Sequence, residues 1–172
     1  MHDLQKIARI CLDEVTAAGM TPGHILSFSA NNRLTACHGK AKGTRRRDGR
    51  GYDFTIEIAG FMLDDACPLA ELKNTVIHEI LHTCEGGQNH GPTWQRYART
   101  INRKYGYNIA TYADEKEIAA TAQARMKVNP PKYTTICNKC GFVEYTYRMC
   151  GFVRNPGRYL CPVCCSSDWK RL

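Results

Sequence analysis

A chain of 172 residues is long enough for one domain with a hydrophobic core and a small appended module. The net charge is +8, and residues 126–172 carry eight basic but only two acidic side chains, so the C-terminal part suits an acidic partner. No apolar run approaches a membrane span, and MHDLQKIARICLDE carries acids where a signal peptide needs an uninterrupted apolar stretch, which predicts a soluble, cytoplasmic protein without a membrane partner.

Residues 3–18 predict a helix, with Asp3 as N-cap, Leu4, Ile7, Cys11, Val15 and Ala18 at helical spacing, and Gly19 as a stop. ILSFS (25–29) and RLTAC (33–37) predict a hairpin turning at Asn31-Asn32, and YDFTIEIA (52–59) alternates as a strand, so the three segments form a small antiparallel sheet. HGKAKGTRRRDGRG (38–51) reads as a glycine-punctuated loop with six basic residues and one acid, either solvated or in contact with nucleic acid. A second helix starts at Pro68, carries Leu69, Leu72, Val76 and Ile80 on its apolar face, and runs to about Glu85 before Gly86-Gly87 ends it. A third spans 92–105, with Trp94, Ala98, Ile101 and Tyr105 at core spacing and Gly106 as a stop. ADEKEIAATAQARMK (113–127) predicts a further helix, and VNPPK (128–132) is a linker that separates a domain at 1–127 from a module at 133–172.

The second helix holds the chemistry. His78 and His82 in HEILH are one turn apart, a rise of about 6 Å, so both imidazoles leave one face toward a common point. A catalytic zinc takes three protein ligands and keeps one position open, and His90 can return as the third after the Gly86-Gly87 break. Glu79 is about 100° around the helix from His78, placed to act as general base in hydrolysis of a peptide bond. Thr75 and Glu85 share the ligand face and read as supporting or solvent-facing groups, and Trp94 as packing beneath the metal helix. Tyr97, Tyr105, Tyr107 and Arg99 are candidates to stabilise the oxyanion, with no spacing to choose among them.

HEILH followed after seven residues by HGPTW resembles the SprT-like metalloprotease family over roughly residues 4–109. The resemblance implies His78, His82 and His90 as zinc ligands and Glu79 as the catalytic acid. It differs from metzincins, whose third histidine follows the second more closely. It also implies a substrate class of proteins bound or crosslinked to DNA, cut at exposed or unfolded segments.

Six of the ten cysteines lie between Cys137 and Cys165, a clustering that fits metal binding better than a disulfide scaffold. CNKC and CPVC present two thiolates each, twenty residues apart, and four thiolates close a tetrahedral structural zinc site. The ligands read as Cys137, Cys140, Cys161 and Cys164, with Cys165 the rival for the last position and Cys150 a further substitute. Cys11, Cys37, Cys67 and Cys84 read as small buried apolar residues. In the module, Lys139, Arg148, Arg154, Arg158, Lys170 and Arg171 are interleaved with Phe142, Tyr145, Phe152, Tyr159 and Trp169, a pattern suited to the phosphates and bases of single-stranded DNA.

The expected architecture is α+β: a zincin-like metalloprotease core of helices with a small antiparallel sheet, plus a C-terminal zinc ribbon. The expected protein is a monomeric zinc-dependent endopeptidase holding one catalytic and one structural Zn2+, associated with DNA, single-stranded by preference, in the nucleoid or the nucleus. The alternatives are a zinc peptidase without a nucleic-acid partner and a non-proteolytic zinc protein that binds nucleic acid.

Overall fold

The computed structural model describes residues 1–34, 37–112, 115–128 and 130–172. The chain divides into two compact units, residues 1–128 and 129–172.

In the first unit, α1 (Leu4–Ala17) begins where the Asp3 side chain accepts a hydrogen bond from the N–H of Lys6 and so satisfies one helix-end donor. Its Leu4, Ile7, Ala8, Cys11 and Val15 recur every three or four residues and are all buried. Strands β1 (His24–Asn31), β2 (Gly39–Arg45) and β3 (Tyr52–Ala59) follow. β3 is central, parallel to β1 and antiparallel to β2.

The sheet is therefore mixed, and among the described residues β1 pairs with β3 rather than with any of 33–37. Asn31 instead turns the chain: its side-chain oxygen accepts from the N–H of Arg33 and its carbonyl from the N–H of Leu34. Thr35 and Ala36, in the middle of the expected second strand, lie outside the described residues. The partner of β3 comes from the stretch expected to be a basic loop. Lys40, Lys42 and Thr44 alternate with Gly39, Ala41 and Gly43, a strand period that glycine and alanine conceal because they add almost no hydrophobic signal.

After a 3-10 turn at Gly60–Leu63, α2 (Leu69–Thr83) is entered through Pro68 and ends two residues short of the expected Glu85. Leu72, Val76, Ile77, Ile80 and Leu81 are fully buried, whereas Leu69, expected on the same apolar face, is exposed in the first turn. Helix α3 (Pro92–Tyr105) has Pro at its first turn and Gly106 at φ +75° as a left-handed cap. Helix α4 (Glu115–Val128) completes the unit; Ala113 and Asp114, expected at its start, lie outside the described residues, as does Asn129 of the expected linker.

The core joins the buried faces of α1, α2 and α3 with Ile56 and Ile58 of β3 and with Phe61 and Met62 of the 3-10 turn. Each such large side chain contributes about 1.5–3 kcal/mol by leaving water. Glu14 of α1 fastens this core from outside, accepting from Lys73 Nζ at 3.1 Å and from the Tyr107 hydroxyl at 2.6 Å. Cys11, Cys67 and Cys84 are buried, but Cys37 is exposed and so is no part of the core.

In the second unit, β4 (Tyr133–Cys137), β5 (Val143–Thr146) and β6 (Trp169–Arg171) form an antiparallel sheet in the order β5-β4-β6. A four-residue helix, α5 (Gly151–Arg154), lies in the connection between β5 and β6. The whole is a mixed α+β protein with two small sheets. Among the described residues no helix is long and apolar enough to cross a membrane.

Candidate metal centres

Helix α2 carries His78 and His82 one turn apart, and a tight turn returns the chain so that His90 meets them. The turn is narrow: a Cβ on Gly87 would lie 2.1 Å from the Leu81 carbonyl oxygen, so only glycine fits. The Nε2 atoms form a triangle with sides of 3.2 Å (His78–His82), 3.1 Å (His82–His90) and 2.9 Å (His90–His78). Ligand nitrogens of a tetrahedral zinc are about 3.3 Å apart, so the triangle is close to the size the metal requires.

Two of the rings are locked in the ligating tautomer. His82 Nδ1 donates to the Gly87 carbonyl at 2.8 Å and His78 Nδ1 to the Ala110 carbonyl at 3.1 Å, which leaves each Nε2 with its lone pair free. Burial, with like-charge repulsion from His82 and His90, depresses His78 to about 3. Burial also lowers His82 and His90, so the three imidazoles are neutral at pH 7 and fit a metal rather than an anion. Trp94 of α3, itself 1% exposed, backs all three, with ring centroids 4.7, 5.6 and 4.6 Å from His78, His82 and His90.

Glu79 points to the sheet. Its Oε2 accepts from the N–H of Ala41 at 2.8 Å, and burial pushes the carboxyl up to about 7 against the lowering effect of that bond. Strand β2 must come very close for this contact: a Cβ on Gly39 would lie 2.7 Å from Glu79 Cγ and 2.9 Å from Oε1. β2 is an edge strand, and the alternation of an antiparallel ladder turns the backbone groups of Gly39, Ala41 and Gly43 away from β3. Sequence reasoning missed this partner of Glu79.

The tyrosines sort themselves by hydrogen bonding. Tyr97 donates to the Glu85 carbonyl, Tyr105 to the Glu14 carbonyl and Tyr107 to the Glu14 carboxylate, so these phenols are committed to holding the fold. Tyr112 is different: it is 82% exposed, with its ring centroid 6.2 Å from that of His90. Its proximity depends on the chain's return after α3, which no local motif reveals. Arg99 lies exposed on α3 beside Arg96 and Arg103, not among the histidines.

The second unit gathers Cys137, Cys140, Cys161 and Cys164, whose sulfurs all lie within 4.8 Å of one another. Cys137–Cys164 and Cys140–Cys161 are each 3.5 Å apart, near the roughly 3.8 Å edge of a tetrahedral zinc–thiolate site. Cys165 is exposed at φ +55°, with its N–H bonded to the Cys161 carbonyl, and neither it nor Cys150 belongs to the group. The donor sets suit a borderline-soft divalent ion, so both centres are consistent with zinc.

A mixed α+β unit with three imidazoles converging from a helix and its following turn, and a glutamate beside the first of them, is consistent with a metallopeptidase. The family comparison agrees. The SprT-like family model matches residues 5–113, and the chain belongs to that family. No curated protein and no solved structure matches it.

Proposed function

We propose that the protein is a zinc-dependent endopeptidase that works at DNA on proteins bound or crosslinked to it. The observation that carries the catalytic half is the convergence of three neutral imidazoles next to a buried glutamate anchored by a strand N–H. Residues 1–127 form the peptidase domain and 133–172 the zinc ribbon, with His78, His82 and His90 as ligands of the first zinc and Cys137, Cys140, Cys161 and Cys164 of the second. Zinc bound by the histidines supplies a Lewis acid that polarises a carbonyl and brings a water's pKa toward neutrality.

The chain's own groups do the rest. Glu79 Oε1 takes the proton of the attacking water, and the carboxyl then delivers it to the leaving amine. Burial raises the carboxyl, which favours its giving the proton back once it has taken it. The Ala41 N–H on Oε2 fixes which oxygen is free. The outward backbone groups of Gly39 and Gly43 can bind an extended peptide as an added strand, and main-chain bonding of that kind tolerates many side chains. The Tyr112 phenol, beside His90, is the donor assigned to the oxyanion.

The DNA half is supported by the ribbon. Trp169 contacts Phe142 and Phe152 at 6.3 and 5.0 Å between centroids, Phe152 contacts Tyr159 at 5.5 Å, and basic residues surround them in sequence. Partly exposed rings amid lysine and arginine suit single-stranded DNA. On this reading the protein works as a monomer at the nucleoid or in the nucleus. One observation favours a second reading, a peptidase with no nucleic-acid partner: the same rings pack on one another edge to face and so help fill a unit too small for a separate core.

Casein digestion with and without single-stranded DNA, in low salt, decides between them. Cleavage stimulated by DNA supports the proposal, cleavage indifferent to DNA supports the second reading, and no cleavage by zinc-loaded protein overturns both.

A further inference from the structure

Helix α3 presents two unlike faces. Trp94, Ala98 and Ile101 are buried, while Arg96, Arg99 and Arg103 are exposed on the opposite side and, with Thr100 and Asn102, line an open concavity of about 560 Å³. A solvated helix face ordinarily mixes both signs of charge. This helix, PTWQRYARTINRKY, has four cations and no acid.

Among the described residues none of the three arginines has an ion-pair partner, and Arg96 rests only over the Tyr97 ring at 5.6 Å. The neutral members of the wall are already satisfied: Asn102 exchanges hydrogen bonds with the Ile109 backbone, and Thr100 donates to the Arg96 carbonyl. The guanidinium donors are what the concavity has to offer.

We propose that this face of α3 is a second nucleic-acid contact, a rail that holds the phosphates of a DNA strand; it rests on the reading that the protein works at DNA. From Arg96 to Arg103 the helix rises about 10 Å, and the spacing i, i+3, i+7 sets the three guanidinium groups in one row along the helix, where a strand's backbone can follow them. A protein partner would dock on buried apolar or aromatic anchors, and the concavity has none. The inner face of the same helix places Trp94 against the three histidine rings. A strand on the outer face therefore runs about one helix diameter, ~10 Å, from the metal centre, a separation that suits a protein still attached to that strand.

The test is fluorescence anisotropy of a labelled single-stranded deoxythymidine oligomer of about 20 nucleotides, titrated with the zinc-loaded full chain from about 50 to 200 mM salt. The variants are Arg96→Ala/Arg99→Ala/Arg103→Ala and, as a control for the loss of exposed cations elsewhere, Lys6→Ala/Arg9→Ala on α1. Zinc content and the thermal unfolding midpoint check the fold of each.

The α3 variant should bind at least tenfold more weakly, with the slope of log affinity against log salt reduced by about 2, at roughly 0.7 for each phosphate no longer neutralised. The control should change by less than threefold. Equal losses in the two variants, or wild-type affinity in the α3 variant, overturn the rail while leaving DNA binding by the ribbon standing. Absence of binding by the wild type overturns both readings. Polyglutamate that displaces the oligomer from the wild type as well as unlabelled DNA does would assign the face to acidic peptides instead and also overturn the proposal.

Discussion

At the scale of single residues, the group on which the proposed mechanism turns is Glu79. Glu79→Gln keeps the shape and the bond from the Ala41 N–H but cannot accept the water's proton. Peptidase activity should fall by a factor of about a hundred to ten thousand while both zinc ions and DNA affinity are retained. The check is cleavage of a DNA-bound protein at matched zinc content, and retention of most activity would mean that another group activates the water. Gly39→Ala tests the same carboxylate from outside, because its Cβ has to displace Glu79 or β2. Activity should drop at least tenfold with zinc content unchanged, whereas Gly49→Ala, which meets no atom within 4 Å, should cost only the strain of its own turn. Tyr112→Phe should lower kcat about a hundredfold with little change in KM, as expected for a donor used only in the transition state. HEILH makes Glu79 and its neighbours readable from sequence because helical spacing alone brings the two histidines together. Ala41 and Tyr112 cannot be read that way, since one depends on sheet register and the other on a long-range return of the chain.

Among the elements, helices were the readable part. Asp3, Pro92 and Gly106 mark their ends chemically, and apolar residues three and four apart mark their buried faces. β2 was not readable, because the closeness it needs to Glu79 selects glycine and alanine and so removes the alternation that betrays a strand. The turn after α2 supports the metal in a testable way. In Gly87→Ala the added Cβ meets the Leu81 carbonyl, so the turn must shift and carry away the carbonyl that orients His82. Zinc affinity at the histidine centre should weaken by about ten- to a hundredfold, the usual effect of losing an orienting partner, while the cysteine centre keeps its metal. Competition with a chromophoric chelator measures both, and unchanged affinity at the histidine centre would show that the turn adapts.

For the molecule as a whole, each ligand set lies inside one compact unit, the histidines in residues 1–128 and the cysteines in 129–172. The full chain should therefore hold two zinc equivalents by elemental analysis. His82→Ala should remove one of them, and Cys140→Ser the other, independently. The gathering of four cysteines was legible in CNKC and CPVC, whereas the mixed sheet was not, since nothing in the local sequence tells β3 that its neighbours run in opposite senses. An unpaired strand edge is also a template on which a second copy of the same chain can grow. β2 leaves such an edge open, with Lys40 exposed along it, Lys42 paired with Glu57 and the Glu79 carboxylate already occupying the Ala41 N–H. The edge proposed to admit a substrate strand is thus also a colloidal hazard, held in check by the Lys40 charge, which repels its counterpart on an identical edge. Lys40→Gln should associate progressively with concentration in sedimentation velocity while the wild type does not, because its edge loses that repulsion and keeps the Lys42–Glu57 pair neutral.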